Sequence, residues 1–253
     1  MLFDLPNWFA VFARAGAFMA VFPLTSAQNV PVQIRLAMVI MAAFLVGPTL
    51  AASHLEAIPF WGLMRFIAGE ILVGLILGFV CRMIFYAVEM AGTLLATEMG
   101  LMLSTSFNPL GQSVISAPGL LLYWLSMMIL FSLDLHHWLV AAFVRTYTVL
   151  PAGTLGPGRA LLFDIVGRTG QTFVIALQIS APLLAVSFLV TVIFAILGRA
   201  VPTMNVFTEN FSVRLLAGLF VLGLTCNFMA QHISNYLRRL PEDCVTAARL
   251  LAG

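Results

Sequence analysis

The sequence predicts an all-α integral membrane protein, and three observations carry this prediction. Hydrophobic residues make up 62% of the 253 residues and charged residues only 9%, whereas a soluble domain carries roughly 25% charged residues. The mean hydropathy is +1.06. The apolar residues fall into runs of helical length separated by proline, glycine and polar clusters. We therefore expect about six apolar helical units in a single membrane domain that covers residues 1–253.

Charge and cysteine content exclude several other classes of protein. All basic residues are arginine, and a net charge of +2 over this length gives no indication of a nucleic-acid partner. The three cysteines are too few and too scattered for a disulfide framework or a metal cluster, so we expect them to serve as small apolar residues. The N-terminus lacks the positive region of a signal peptide. A bacterial inner membrane is the simplest predicted location.

The third apolar segment, residues 62–104, dominates the chain by its length. It would measure roughly 60 Å as a straight helix, about twice the thickness of a hydrocarbon core. It must therefore break into a hairpin, tilt steeply or extend beyond the bilayer, and we favour a kinked helix that is held in a protein assembly. In chain order the predicted segments are 8–24, 36–52, 62–104, 120–133, 138–150, an amphipathic stretch 159–171, 172–197 and 211–229.

One face of this third segment carries small and polar residues at intervals of three and four, which keep them on one side of a helix. In lipid such a face packs against protein, because small residues let backbones approach and charges avoid the acyl chains. Packing within this chain and docking on other subunits, or lining a conduit, are both open. We expect the intramembrane charges Arg14 and Glu98 to be shielded in the same way. The predicted helix-packing face comprises Glu70, Gly74, Gly78, Arg82, Glu89, Gly92, Ala96 and Gly100.

Three residues between the fourth and fifth apolar runs, Asp134, His136 and His137, could suggest a metal site. Adjacent histidines on a helix point about 100° apart and rarely share one ion. We interpret the group as a polar helix break at a membrane interface. The serines that follow the third segment lack the GxSxG sequence of a nucleophile elbow. We therefore predict no metal, no cofactor and no enzymatic activity.

The intramembrane glutamates and arginines leave one alternative function open. Charges within apolar helices are typical of secondary transporters that carry a solute or protons. Such transporters are commonly built from two halves with corresponding interruptions, and the two halves of this sequence show none. Co-purification would separate the alternatives, because a transporter would run alone or as a small homo-oligomer.

Four stretches of the chain follow one another in an order that is typical of a known family. They are Phe22-Pro23 with Pro31 and Arg35; Gly69-Glu70, Gly74 and Gly78 continuing to Glu98-Met99-Gly100 and Phe107-Asn108-Pro109; Leu135-His136-His137-Trp138-Leu139 with Leu150-Pro151; and Ala181-Pro182 continuing to Gly198-Arg199, Pro202, Thr203, Met204 and Asn205. Together they resemble the FliR family of flagellar export-gate proteins, called SctT in virulence injectisomes. The chain departs from the residues usual in that family at Glu98, Asn108 and Thr203, where glutamine, aspartate and glutamine are common.

The resemblance implies a subunit of a helical export gate that passes unfolded proteins across the inner membrane, in a flagellar basal body or an injectisome base. The implied assembly is a helical hetero-oligomer. Its implied partners are FliP-like and FliQ-like subunits, with FlhB-like and FlhA-like proteins attached, beside membrane lipid. Of the two systems we favour the flagellar one. Residues 1–150 match the FliP-like part, 151–170 a connector, and 171–253 a FliQ-like hairpin with a C-terminal tail.

The resemblance also assigns two loops. A plug that closes the pore corresponds to an uncharged loop in which Pro109 limits the conformations and Phe107 offers an apolar stopper. A plain connector is the alternative interpretation of the same residues. The plug residues are Ser104, Thr105, Ser106, Phe107, Asn108, Pro109, Leu110 and Gly111, and the FliQ-like loop residues are Arg199, Pro202, Met204 and Asn205.

Overall fold

A computed structural model describes residues 5–26, 30–49, 60–102, 116–154, 156, 159–201 and 205–252 of the chain. All of the regular secondary structure within these ranges is helical. The predicted all-α class is therefore confirmed. The helices are α1 Leu5–Val21, α2 Pro23–Ser26, α3 Val32–Val46 with a 3₁₀ turn Gly47–Thr49, α4 Phe60–Glu98, α5 Ala117–Ser132, α6 Leu135–Val149, α7 Arg159–Ala200, α8 Val206–Leu237 and α9 Leu240–Ala252.

Three stretches of helix in the described residues are long and apolar enough to cross a membrane. They are Trp61–Glu98, Arg159–Ala200 and Thr208–Ala252, and a fourth span results if α5 and α6 together form one broken span. Two shorter apolar helices, Trp8–Val21 and Val32–Val46, precede them. The chain therefore has the composition and helix lengths of an integral membrane protein.

The third predicted segment is one continuous helix, α4, of 39 residues. It would be about 58 Å long if straight, and its continuity excludes the alternative of a hairpin break for residues 60–98. The helix ends where Gly100 adopts a positive φ of 75°. The amide of Gly100 donates to Thr97 O at 3.0 Å and that of Leu101 to Ala96 O at 2.9 Å, which is the Schellman arrangement that glycine favours.

The predicted amphipathic stretch 159–171 and the span 172–197 form a single helix, α7, of 42 residues. The expected boundary between them rested on a change of polarity, and a change of polarity does not interrupt backbone hydrogen bonding. Pro182 lies inside this helix, which membrane helices tolerate because neighbouring groups satisfy the freed carbonyl.

The chain divides into two compact units, each of which joins early and late parts of the sequence. The first unit contains residues 1–83, 134–169 and 238–253, and the second contains residues 84–133 and 170–237. The proposed division into parts 1–150, 151–170 and 171–253 follows the family resemblance and stays a prediction.

In the first unit, α1 packs on α3, and α9 packs on α6. The tail helix α9 is amphipathic and buries one side, including Leu240, Cys244 and Leu251. Arg168 on α7 donates to Asp164 at 2.6 Å and forms an ion pair with Asp243 on α9 at 2.6 Å. These charged contacts hold the start of α7 against the tail helix.

In the second unit, α5 packs on α8, and α5 also crosses the C-terminal half of α4. Ser116 caps α5, because its Oγ accepts a hydrogen bond from Gly119 N at 3.2 Å. The same hydroxyl donates to Gly92 O on α4 at 3.2 Å. One serine therefore satisfies the start of α5 and ties it to α4.

Candidate functional site

A fully buried ion pair lies at the centre of the first unit. Arg14 on α1 is 0% exposed and Glu70 on α4 is 2% exposed. Arg14 Nε donates to Glu70 Oε2 at 2.7 Å and its second guanidinium nitrogen donates to Glu70 Oε1 at 3.1 Å. This two-point geometry is the strongest form of arginine–carboxylate contact. It also explains how both charges are accommodated in an apolar chain.

The backbone that follows α6 completes the surroundings of this pair. The third guanidinium nitrogen of Arg14 donates to Leu150 O at 3.1 Å. Glu70 Oε1 accepts a second hydrogen bond, from Gly153 N at 3.0 Å. The ring of Tyr147 lies 4.1 Å below the guanidinium carbon, a distance at which the ring face attracts a cation. The ion pair therefore joins α1, α4 and the turn after α6.

The first half of the predicted packing face lies against α1. A Cβ at Gly74 would overlap the carbonyl oxygen of Arg14, and a Cβ at Gly78 would lie 2.9 Å from Phe18 O and 3.0 Å from Val21 Cβ. Only glycine permits backbones to approach so closely. Arg82, one turn further on, donates to Val21 O at 3.3 Å.

The second half of the face lies against α5. A Cβ at Gly92 would overlap the backbone of Gly119, and Ala96 is fully buried. Glu89 is exposed, and Gly100 forms the end of the helix. The glycine contacts of both halves are made with helices of this chain. Docking of the remaining exposed positions on other subunits stays a prediction.

Glu98, at the end of α4, lies in a polar cluster of the second unit. Ser187 on α7 donates a hydrogen bond to Glu98 Oε2, and the guanidinium of Arg214 on α8 lies 3.7 Å from the same oxygen. Arg214 also donates to Thr191 Oγ1 at 2.6 Å. A cavity of about 10 Å³ adjoins the cluster, close to the smallest volume that holds a water molecule.

The two predicted loops fall largely outside the described residues. The plug residues 104–111, together with Pro202 and Met204, belong to the part of the chain that the structure does not describe. Arg199 is exposed in the last turn of α7, and Asn205 is exposed directly before α8. The gating and loop roles of these residues stay predictions.

The group at the break between α5 and α6 is more compact than the sequence indicated. Asp134 has a φ of 53°, and the rings of His136 and His137 lie 4.0 Å apart between centroids. The expectation that the two rings point apart is therefore wrong, since side-chain rotation brings them together at the first turn of α6. Potential ligand atoms of the three residues lie within 4.8 Å of one another. With Asp134 and His137 about three-quarters exposed, we assign no ion to the group.

A polar stripe on α8 was not anticipated from the sequence. Asn227, Gln231 and Asn235 recur at every fourth residue and are all exposed. None of the three has a hydrogen-bond partner among the described residues. Their spacing on an apolar helix was the signal that could have identified them. We call these three residues the amide stripe.

Comparisons with known proteins cover most of the chain. The family described as bacterial export proteins, family 1, matches residues 5–240. The chain is 28% identical over 232 residues to the flagellar biosynthetic protein FliR of Caulobacter vibrioides, with 91% of this chain and 92% of that protein covered. It is 30% identical over 225 residues to the Yop proteins translocation protein T of Yersinia pestis, with 88% of this chain and 86% of that protein covered.

Proposed function

This chain belongs to family 1 of the bacterial export proteins, and on that premise we propose that it is a pore-forming and gating subunit of a type III protein export gate. The family assignment confirms the resemblance to FliR and SctT proteins, and it makes the chain a membrane-embedded component of a type III secretion export apparatus rather than an enzyme. The bacterial inner membrane is its proposed location. Unfolded proteins are its proposed cargo.

The observation that carries the gate proposal is the uncovered amide stripe. In the most apolar window of Thr208–Ala252, only 11% of the residues are buried within the chain, so most of α8 faces lipid or other protein. Amide side chains that face lipid lose their hydrogen bonds to water, whereas a neighbouring subunit or a wet pore restores them. The stripe therefore favours a place for α8 in an assembly.

The proposed partners are FliP-like and FliQ-like subunits, with FlhB-like and FlhA-like proteins attached. The uncharged residues 104–111 are the proposed plug of the pore, since they need no fixed ionic partner. We assign the chain to a flagellar apparatus. A deletion strain that swims normally but no longer secretes a virulence protein would overturn the flagellar assignment.

Co-purification after mild detergent extraction tests the proposal. Gln231→Leu removes the central amide of the stripe and should reduce recovery of partner subunits with a tagged chain. Gln33→Leu makes the same chemical change at an exposed position in the first turn of α3 and should leave recovery unchanged. A wild-type chain that purifies without any other subunit would contradict the proposal.

A further inference from the structure

A cavity of about 690 Å³ lies between α6 and α9 in the first unit. Its size falls within the range of ligand sites, which are commonly about 300–1,000 Å³. Apolar side chains such as Leu135 and Val245 form part of its wall, and Trp138 stands beside them. The cavity is separate from the buried pair of Arg14 and Glu70, since neither residue lines it.

Three arginines line this cavity and outnumber its single acidic residue. Arg145 belongs to α6, Arg249 to α9, and Arg238 to the turn between α8 and α9, whereas Glu242 carries the only negative charge on the wall. All three arginines are exposed. None of them has an ion-pair partner within the part of the chain that the structure describes. The cavity therefore has an excess of positive charge that the chain itself does not neutralise.

We propose that this cavity binds the headgroup of an anionic phospholipid. Guanidinium groups match the oxygens of a phosphate with paired hydrogen bonds. Basic pockets between membrane helices are suited to acidic headgroups. The indole of Trp138 is 63% exposed, and tryptophan favours the headgroup level of a bilayer.

The apolar residues of the cavity wall favour a lipid over a free phosphate as the occupant. A free phosphate would use only the arginines, whereas the glycerol and the first acyl carbons of a lipid would also cover Leu135 and Val245. The amphipathic helix α9 forms one side of the cavity. The apolar side of α9 is already buried within the first unit, so the placement of the cavity at headgroup level rests on the exposed Trp138.

Lipid retention measured by native mass spectrometry tests the proposal on the full chain, extracted with its associated subunits. The complex is titrated with dioleoylphosphatidylglycerol and, separately, with dioleoylphosphatidylcholine. The wild type should retain the anionic lipid preferentially. Each of Arg145→Gln and Arg249→Gln should weaken that retention about fivefold, the factor that one arginine near a charged membrane surface contributes. Arg65→Gln removes an exposed arginine that does not line the cavity and should change nothing.

Several results would overturn the proposal. Equal retention of the two lipids by the wild type, which requires no folded variant, would show that charge is not recognised. An equal loss in Arg65→Gln would show a general charge effect. Displacement of phosphatidylglycerol by inorganic phosphate would indicate a free-phosphate site, and displacement by an oligoglutamate peptide would indicate an acidic protein segment as the occupant.

Discussion

Replacing Glu70 by leucine should cost the first unit most of its stability. Arg14 would keep its charge at a position with no solvent exposure, and removal of one partner of a buried ion pair costs about 3–5 kcal/mol. The amide of Gly153, which now donates to Glu70, would lose its acceptor at a further cost of about 1–3 kcal/mol. We expect a total loss of roughly 4–8 kcal/mol, comparable to the whole unfolding free energy of many domains.

The double variant Arg14→Met with Glu70→Leu should be more stable than Glu70→Leu alone. It leaves no uncompensated charge, so the remaining cost comes from Leu150 O and Gly153 N, which lose their side-chain partners. That cost is about 2–6 kcal/mol for the two groups together. A second substitution that restores stability is the signature of a buried pair whose members depend on each other.

Chemical unfolding of the purified chain in detergent micelles, followed by tryptophan fluorescence, measures these differences. Arg65→Met and Glu89→Leu provide the control cycle, because both residues are exposed on the same helix α4. Their effects should be small and should add. The main cycle also needs the single variant Arg14→Met. If the effects of Arg14→Met and Glu70→Leu add, so that the double variant is less stable than either single variant, the two charges do not stabilise each other as their geometry indicates.

Three further predictions concern close helix contacts and the proposed plug. Gly78→Leu should destabilise the chain by about 1–3 kcal/mol through overpacking against α1 and prevent co-purification with partner subunits, whereas Gly167→Leu should do neither, because a Cβ there meets nothing within 4 Å. In thermal unfolding, Gly92→Ala should be less stable than Gly218→Ala, because the first methyl meets backbone and the second meets a flexible methionine side chain. Deletion of residues 106–111 should leave the complex assembled but leaky to ions, and an unchanged membrane conductance would contradict a plug.

The helical fold and the approximate start of α4 followed from elementary properties of the sequence. Several apolar runs are long enough for a helix that crosses a membrane, and the α4 sequence contains no proline and no polar cluster. Its end was harder to place, since Gly100 stops the helix by adopting a left-handed conformation, while Gly74, Gly78 and Gly92 continue it. Glycine has both roles, and only the local backbone decides between them.

Pairing of the charged residues could not be predicted from the sequence. Arg14 and Glu70 are 56 positions apart, and the sequence offered three other charged residues, Arg82, Glu89 and Glu98, as possible partners. What selects Glu70 is the close approach of α1 and α4 that Gly74 and Gly78 permit, together with the turn that brings Gly153 to the carboxylate. These are tertiary contacts, which periodicity along one helix does not report.

The chain treats its buried charges and its exposed amide stripe differently. It neutralises the buried pair by itself and leaves the amide side chains for an assembly to cover. The fully buried charges of Arg14 and Glu70 neutralise each other within the chain, and Leu150 O and Gly153 N form further hydrogen bonds with the pair. A buried charge left for a partner to neutralise would prevent the unit from folding before assembly. The exposed groups of the amide stripe are uncharged, so the free-energy cost of leaving each of them without a hydrogen-bond partner before assembly is much smaller. The amide stripe that the chain leaves for an assembly is therefore neutral, whereas the buried charges of Arg14 and Glu70 are paired within the chain.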